Sequence, residues 1–520
     1  SSDVCSSDLK GNIYADPSKK LVLLIEMKSD YHTELPELVK VLRQKYQDII
    51  TNPGIKIVIT GHVPEPAEFD NYPDFIFFDG DFAKAYSPAQ LKRVGMLSSN
   101  LQLFTSWHGK GIMRDEEVLK VKQAVAKAHE LGKPARFWGA PDFTNAWINL
   151  INAGADYINT DHIGSLSNFL NHIPTTFYKS TKTFESYQPK NRTFAKKAKN
   201  VILLIPDGVS LPQCYAAFTA NKGNLNIFKM PYTGLSKTNS ANAYITDSAP
   251  GSTAFATGVK TSNNYVGVDK NNKFLSQIPE IIAKNGLQTA LISTGDISDA
   301  TPADFYAHSN NRDDSRTIIQ QFIKSDVKFL IGGPSSGVTP EAEKEFNQSG
   351  IHHYQSLSNA DLTQNRVIVT DPLAMKNYSE RGKWLGEAFS KSLNVLKQNK
   401  KGFFMMAEAS RTDINAHANE LGKEIEELLD FDETVGKALK FADDNGETLV
   451  IVVGDHETGG LTLLDGSLSD GWVLGNFSSN DHTAIPATVF AYGPGAENFT
   501  GFFENSDIFR KIMHTLNVQP

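Results

Sequence analysis

Five apolar segments or loops within residues 200–520 are followed by Asp, Glu or His side chains. Any single one of them is explained as a helix N-cap or a turn residue. Because parallel strands end at one edge of a sheet, we expect these side chains to converge, and their carboxylates would repel unless cations neutralised them. The pattern therefore predicts a metal site made of Asp207, Asp299 with Thr301, Glu408 with Asp413 and His417, Asp455 with His456, and His482.

The ligand types indicate two kinds of cation. Imidazole with carboxylate suits zinc, whereas carboxylate with hydroxyl and water suits magnesium. Asp413 and His417 are four residues apart, a spacing that places both on one face of a helix. Asp455 and His456 are adjacent, and neighbouring side chains converge on a turn.

Ser248 is the candidate nucleophile. It lies in TDSAPGS, and small residues compatible with a helix follow it. A serine near a helix N-terminus lies where backbone N–H groups favour an anion. A serine hydroxyl is a poor nucleophile near neutral pH and needs a base or a metal to activate it. Taken alone, the same serine is also explained as an ordinary N-cap.

Residues 200–520 are predicted to form a doubly wound, mostly parallel α/β sheet. Continuous apolar runs are typical of strands buried on both faces. The runs are Val201–Ile205, Thr289–Ile292, Val327–Ile331, Gly402–Met406, Thr448–Val453 and Ala487–Ala491. Helical patterns lie between them at Ser276–Lys284, Ser315–Lys324 and Gly422–Asp443.

Residues 11–171 also alternate strands and helical patterns, which predicts a second parallel sheet. We count about six strands where a closed βα barrel needs eight, so the expectation is a partial TIM-like barrel. The predicted strands are Leu21–Met27, Ile55–Thr60, Phe75–Phe78, Leu101–Thr105, Ala135–Trp138 and Tyr157–Asn159. Residues 172–199 are basic, lack apolar periodicity and are interpreted as a linker.

Length and composition exclude several classes of protein. The 520 residues are 40% hydrophobic and 21% charged, an ordinary globular mixture, and no apolar run is long enough to span a membrane. The net charge of −8 argues against nucleic acid as the main ligand. Residues 1–10, with S-S-D twice, are interpreted as an artefact, in which case Cys5 is foreign and Cys214 is the one native cysteine.

Residues 200–520 resemble the alkaline phosphatases. The matching pieces are VILLIPDG, TDSAPGSTAFATGVKT, DATPADFYAHSNNR, MMAEASRTDINAH, VVGDHETGGLT and NDHTAIPATVFAYGP, in the order of that family. The resemblance implies that Ser248 is the nucleophile that becomes phosphorylated and that Arg312 grips the phosphate. It also implies that the first zinc is held by Asp413, His417 and His482.

The same resemblance implies a second zinc and one magnesium, and with them hydrolysis of small phosphate monoesters. Asp207 is implied as a ligand of both ions. The second zinc is completed by Asp455 and His456, and the magnesium by Thr301 and Glu408, with Asp299 close by through water.

The N-terminal part resembles the later part of a phosphatidylinositol-phospholipase-C-like or glycerophosphodiesterase-like barrel. The pieces are LLIEMKSD, FFDGD, ARFWGAPD and YINTDHIGSLSNFL. Those families place their catalytic histidines early in the barrel, on strands that we do not find here. We expect this half to be catalytically silent, with Glu26 and Lys28 either lining its site or simply finishing a strand.

Several alternatives remain open. A phosphodiesterase of the same superfamily, a bifunctional phosphodiesterase–phosphatase and a non-catalytic metal and phosphate binder all fit parts of the pattern. A sulfatase fits poorly, because Ser252 stands where its C/S-x-P-x-R motif needs arginine. The family resemblance leads us to expect a periplasmic or extracellular protein with no transmembrane segment, and leaves a homodimer open.

Overall fold

A computed structural model of the chain describes residues 13–519 except 15, 17, 112 and 192. The described residues divide into two compact units, one ending at Asn171 and the other beginning at His172. The predicted artefact at residues 1–10 lies outside the described residues. No helix in the described part of the chain is both long and apolar enough to cross a membrane.

The first unit contains a six-stranded sheet in which every neighbouring pair is parallel and the strands lie in chain order. Apolar side chains from these strands and from the helices of the same unit form one buried cluster. The strands are β1 (Leu21–Met27), β2 (Ile55–Gly61), β3 (Ile76–Asp81), β4 (Val94–Asn100), β5 (Ala135–Trp138) and β6 (Tyr157–Ile158).

Helices connect these strands, as parallel pairing requires. They are α1 (Tyr31–Lys45), α2 (Gln47–Thr51), α3 (Pro88–Arg93), α4 (Asp115–Glu130), α5 (Thr144–Ala153) and α6 (Ile163–Thr176). Five of the predicted strands are confirmed with small shifts of their ends. The prediction of a strand at Leu101–Thr105 is wrong, because Leu101–Leu103 forms a 3-10 helix after β4. Strand β4 escaped prediction because Gly95, Ser98 and Ser99 weaken its apolar signal.

The second unit is built on a ten-stranded sheet, in the order β12-β13-β11-β10-β14-β8-β15-β20-β9-β21. It is mostly parallel, and β20 is antiparallel to both of its neighbours. The strands are β8 (Asn200–Pro206), β9 (Tyr232–Lys237), β10 (Gln288–Asp296), β11 (Val327–Gly333), β12 (Ile351–Tyr354), β13 (Arg366–Thr370), β14 (Phe403–Ala409), β15 (Thr448–Val453), β20 (Ala487–Tyr492) and β21 (Gly501–Glu504).

Smaller sheets complete this unit. Strands β16 (Glu457–Thr458) and β19 (His482–Thr483) pair with each other, and β18 (Trp472–Phe477) lies between β17 (Leu461–Ser467) and β7 (Phe177–Lys179). Residues 172–199, which we interpreted as a linker, thus contribute a strand to the second unit. In the same segment, the Tyr187 hydroxyl donates to Asp443 Oδ2 at 2.8 Å.

Helices cover both faces of the large sheet. They are α7 (Leu211–Ala220), α8 (Ser248–Thr257), α9 (Ile278–Ala283), α10 (Ala300–Ala303), α11 (Ser315–Phe322), α12 (Pro340–Gln348), α13 (Tyr378–Arg381), α14 (Trp384–Leu396), α15 (Arg411–His417), α16 (Leu421–Asn445) and α17 (Asp507–Leu516). Side chains of β8 alternate between two separate apolar clusters, Val201 and Leu203 in one, Ile202 and Leu204 in the other. The continuous apolar runs therefore mark strands with a core on each face, which confirms the predicted α/β sheet.

Candidate active site

Four of the predicted carboxylates lie at or just beyond the carboxyl ends of four adjacent strands, β10, β14, β8 and β15. Asp207 follows the last residue of β8, and Glu408 lies near the end of β14. Asp455 is two residues beyond β15, and Asp299 is three residues beyond β10. Because these strands are parallel, their ends share one edge of the sheet and bring the polar side chains together.

Ser248 is the first residue of α8, and it is buried. The N-cap of this helix is Asp247, whose side chain accepts a hydrogen bond from the Ala249 N–H at 2.8 Å. The cap is thus supplied by the preceding residue, and the Ser248 hydroxyl is not used to close the helix. Ser248 Oγ lies 3.2 Å from His456 Nε2, beside the carboxylates that follow β8 and β15.

Asp413, His417 and His482 form a group that we call the outer group. The Nε2 atom of His417 lies 3.2 Å from Asp413 Oδ2 and 3.1 Å from His482 Nε2. Each imidazole has its Nδ1 atom 2.8 Å from a backbone carbonyl, of Asn480 for His417 and of Thr246 for His482.

These carbonyl contacts decide which nitrogen of each ring carries a proton in the neutral state. A carbonyl only accepts, so both Nδ1 atoms donate and both Nε2 lone pairs face the same space. Two lone pairs at 3.1 Å repel unless a proton or a cation lies between them. Two ligands at 2.0–2.1 Å from a tetrahedral zinc would be about 3.3 Å apart, so the pair fits a zinc ion.

Asp207, Asp455 and His456 form a fully buried group that we call the inner group. His456 Nε2 is 3.3 Å from an oxygen of each carboxylate. On the other side of the ring, Nδ1 is 3.2 Å from Thr458 Oγ1, which itself donates to Asp413 Oδ1 at 2.5 Å. Nδ1 therefore donates to the threonine, and the Nε2 lone pair points at two carboxylates, as it does when all three bind a cation.

Asp413 connects the two groups. Ligand atoms of Asp413, His417 and His482 all lie within 4.8 Å of one another, and so do those of Asp207, Asp413 and His456. Asp455, which the family resemblance placed with Asp207 and His456, is in contact with His456 but lies outside that tighter triplet. The geometry thus provides two neighbouring positions for cations that share Asp413.

Glu408 and Thr301 form a third polar group with Asp299. Thr301 lies close enough to Glu408 to favour the charged form of its carboxyl group, and Ser293 Oγ donates to its Oε2 at 2.5 Å. The other oxygen of Glu408 is buried and has no hydrogen-bond partner in the described chain. The Glu408 carboxylate, with one oxygen free to bind, and the Thr301 hydroxyl are ligands of the kind that magnesium prefers.

Burial and mutual repulsion disfavour the charged form of these carboxylates. The pKa of Asp207 is raised well above its usual value by burial and by Asp455. Burial and Asp299 raise the pKa of Glu408 to about 8, and burial and Asp413 raise that of Asp455 to about 6. Asp207 and Asp455 also each keep one buried oxygen without a hydrogen-bond partner. Cations would relieve both penalties, so the residues fit the metals that the sequence predicted.

Arg312 reaches this edge from the loop before α11. Its guanidinium lies 2.9 Å from Asp299 Oδ1 and 3.6 Å from Asp247 Oδ1. These two carboxylates hold a planar, two-pronged cation near the N-terminus of α8, where it suits the oxygens of a phosphate.

Sequence reasoning gave no role to three residues that orient this site. Asp247 caps α8 and holds Arg312, Thr458 fixes the ring of His456, and Ser293 holds Glu408. The position of Asp247 directly before Ser248 was a usable signal for an N-cap. Ser293 lies inside strand β10, and no sequence pattern marks it.

The first unit has a cavity of about 500 Å³ at the carboxyl ends of its strands. Asp79 at its base accepts from Thr60 Oγ1 at 2.8 Å and from Ser98, and lies 3.7 Å from Arg136. Glu26 lines this cavity and pairs with Lys28 at 2.7 Å. Its described lining contains no histidine: Glu26, Thr60, Gly61, Val63, Pro64, Pro66, Phe69, Asp79, Gly80, Asp81, Lys84, Tyr86, Ser98, Arg136 and Trp138.

Comparisons with known proteins match the second unit. The sequence profile of the family described as "Alkaline phosphatase" matches residues 198–365 and 372–472. The chain is 30% identical over 410 residues to alkaline phosphatase 4 of Bacillus subtilis, covering 61% of this chain and 89% of that protein. It is 31% identical over 412 residues to alkaline phosphatase H of Pseudomonas aeruginosa, covering 62% and 86%.

A solved structure leads to the same result. The alkaline phosphatase of the Antarctic bacterium TAB5 superposes with a TM-score of 0.59 at 34% identity, covering 63% of this chain and all of that chain. The similarity lies in fold and sequence together.

Proposed function

The chain belongs to the alkaline phosphatase family and hydrolyses phosphate monoesters, and we propose that the reaction passes through a phosphoserine formed on Ser248. The position of the Ser248 hydroxyl supports it as the nucleophile. The hydroxyl lies at the N-terminus of α8, 3.2 Å from His456 Nε2, and it does not cap the helix. The backbone N–H groups of the first turn and Arg312 would bind the phosphate oxygens. Phosphoryl transfer depends mainly on such positioning and charge neutralisation.

We further propose two zinc ions and one magnesium ion as cofactors. The outer group would hold the first zinc and the inner group the second. The third group, with Asp207, would hold the magnesium. A variant of the TAB5 enzyme has been solved with Mg bound, which supports magnesium in this family. Bound zinc would lower the pKa of a hydroxyl or water and stabilise the attacking and leaving oxygens.

The side chains themselves prepare the reaction. Asp413 and the carbonyls of Thr246 and Asn480 fix the two histidines of the outer group, and Thr458 fixes His456. Asp247 orients both α8 and Arg312, so the nucleophile and the phosphate clamp are held by one carboxylate. A phosphate gripped there would present its phosphorus to Ser248 Oγ for in-line displacement.

Acid trapping tests the phosphoserine. The full-length protein, loaded with zinc and magnesium, is incubated with inorganic phosphate or a phosphate monoester, quenched at low pH and digested. We expect mass spectrometry to find phosphate on the peptide with Ser248, and Ser248→Ala to lose both this adduct and at least about 1,000-fold of kcat. Turnover of Ser248→Ala at the wild-type rate would refute the mechanism. Ser252→Ala, four residues along the same helix, is the matched control.

We propose that residues 11–171 are part of a barrel like those of phosphatidylinositol phospholipases C or glycerophosphodiesterases, and that they are catalytically silent in this chain. The parallel sheet and the cavity at its carboxyl edge favour the barrel, and the lack of histidine in the described lining favours silence. Assays with glycerophosphodiesters and inositol phosphodiesters test this. Diesterase activity that survives Ser248→Ala but not Arg136→Ala would instead support the bifunctional alternative.

We also propose that the protein acts in the periplasm or outside the cell, and that it assembles as a homodimer. Both proposals follow from the family. Fractionation of the native host and light scattering of the purified protein test them.

A further inference from the structure

Four large apolar side chains are exposed to solvent in the segments that supply the outer group and its backbone contacts. Tyr244 is 79% exposed, Ile245 42%, Ile414 43% and Ile485 37%. We call these four residues the apolar rim. They come from three separate loops or helices.

Each of these three segments also supplies a contact of the outer group. Ile414 follows Asp413 on α15, and its side chain faces solvent while that of Asp413 is buried. Ile485 is three residues after His482, and its N–H donates to Thr483 Oγ1 at 3.4 Å.

Tyr244 and Ile245 directly precede Thr246, whose carbonyl accepts the hydrogen bond of His482 Nδ1. The contacts of the outer group thus bring the three segments together, and each segment carries its rim residues within three positions of a residue that contacts the group.

The geometry of the reaction gives the rim a role. Ser248 Oγ contacts the inner group, which is fully buried. In-line displacement places the leaving oxygen opposite the nucleophile, away from that buried side. The outer group lies toward solvent, since the His417 side chain is 36% exposed. The alcohol part of the substrate therefore leaves past the outer group and over the rim.

We infer that this site prefers phosphate monoesters whose alcohol carries an apolar chain or ring, which packs on Tyr244, Ile245, Ile414 and Ile485. The inference rests on the proposed function and names its substrate class. A sugar or polyol in the same place would leave the four side chains without apolar contact. An apolar alcohol group that packs on the rim removes both the apolar surface of the rim and its own apolar surface from water.

A series of n-alkyl phosphates measures this preference. Methyl, butyl and hexyl phosphate release alcohols of nearly equal basicity, so the chemical step changes little along the series. Full burial of one methylene group corresponds to a roughly fourfold increase in kcat/KM. An open rim that covers half of each methylene group corresponds to about a twofold increase. We therefore expect kcat/KM of the metal-loaded full-length protein to rise about 30-fold from methyl to hexyl phosphate, and glycerol phosphate to stay near methyl phosphate.

Variants locate the preference on the rim. Ile485→Ser and Tyr244→Ser are each expected to reduce the hexyl-to-methyl ratio at least about threefold. Phe502→Ser is the matched control, since Phe502 is a similarly exposed apolar residue on β21, where its ring lies beneath Lys237 and belongs to none of the three rim segments. Equal rates along the alkyl series, or wild-type ratios in both rim variants, would overturn the inference.

A binding measurement separates this inference from the proposed function. Calorimetry with methylphosphonate and hexylphosphonate needs no turnover, and we expect the hexyl compound to bind at least about 10-fold more tightly. If the protein hydrolyses none of the esters, the proposed function is refuted. The ratio of the methylphosphonate and hexylphosphonate dissociation constants would still show whether the rim binds an apolar chain. If the rim variants change the mass measured by light scattering but neither ratio, the rim is an interface between copies of the chain and the inference is wrong.

Discussion

Both units of this protein place carboxylates at the carboxyl edge of a parallel sheet, but they balance the charge differently. In the first unit, Asp79 accepts hydrogen bonds from Thr60 and Ser98 and lies near Arg136. In the second unit, Asp207, Glu408 and Asp455 each retain a buried oxygen with no hydrogen-bond partner in the described chain.

This difference separates a structural use of charge from a functional one. Buried polar groups are nearly always hydrogen-bonded, and a buried charge without a partner is costly. A carboxylate whose partners are all on the chain holds the fold together and needs nothing else. Several buried carboxylates that face one another must either take up protons or bind cations, which is why the second sheet edge, and not the first, is expected to bind metal.

Metal removal is the strongest test of this comparison. Thorough chelation should lower phosphatase activity at least about 1,000-fold, because the carboxylates and the nucleophile lose their counter-charges. It should also lower the melting temperature of the second unit by on the order of 10 °C, as expected when a tightly bound ligand is lost. Calorimetry with and without chelator measures the melting temperatures of both units. An equal decrease in the melting temperature of the first unit would contradict the comparison.

Replacement of Arg312 should have the next largest effect. Arg312→Lys replaces a two-pronged donor by a point charge, so we expect kcat/KM to fall about 10- to 100-fold and phosphate to inhibit less strongly. Arg316→Lys, an exposed arginine on the following helix, serves as the control and should act like the wild type. Equal phosphate inhibition in Arg312→Lys and wild type would contradict the assigned clamp.

Replacement of Arg136 sharpens the comparison from the side of the first unit. Arg136→Met leaves the buried Asp79 without its cation and should destabilise that unit by about 3 kcal/mol, while phosphatase activity stays within about twofold. The double variant Asp79→Asn with Arg136→Met should recover part of the loss. Denaturant unfolding followed by fluorescence measures the free energy of unfolding, and Lys122→Met, at an exposed position, is the control. An unchanged free energy of unfolding in Arg136→Met would show that the pair does not stabilise the first unit.

The smallest effect is expected at the exposed pair of Glu26 and Lys28. Both side chains are largely in solvent, so Lys28→Ala should change the free energy of unfolding by less than about 0.5 kcal/mol. A larger change, or an effect on diesterase turnover, would mean that this pair belongs to a site in the first unit.

Six strands of the second sheet were predictable because they are buried on both faces, whereas β9, β12, β13 and β21 were not predicted. Val201–Ile205 and Thr448–Val453 differ from the observed strands by at most one residue at either end. Short strands such as β7, β16 and β19 were not predicted, because two or three residues carry no periodicity. Strand β4 was misplaced, because its serines are buried by hydrogen bonding and not by hydrophobicity, as the contact of Ser98 with Asp79 illustrates.

The sequence by itself determined the residue types at the strand ends and the place of Ser248 before a run of small helical residues. It could do so because strand burial and capping are local properties, visible in a few neighbouring residues. Only the tertiary structure decided that Asp413 of the outer group also lies beside Asp207 and His456 of the inner group, and that Thr458 orients His456. It also decided that the carbonyls of Thr246 and Asn480 fix the histidines, because every residue has a carbonyl and only the folded chain determines where it points.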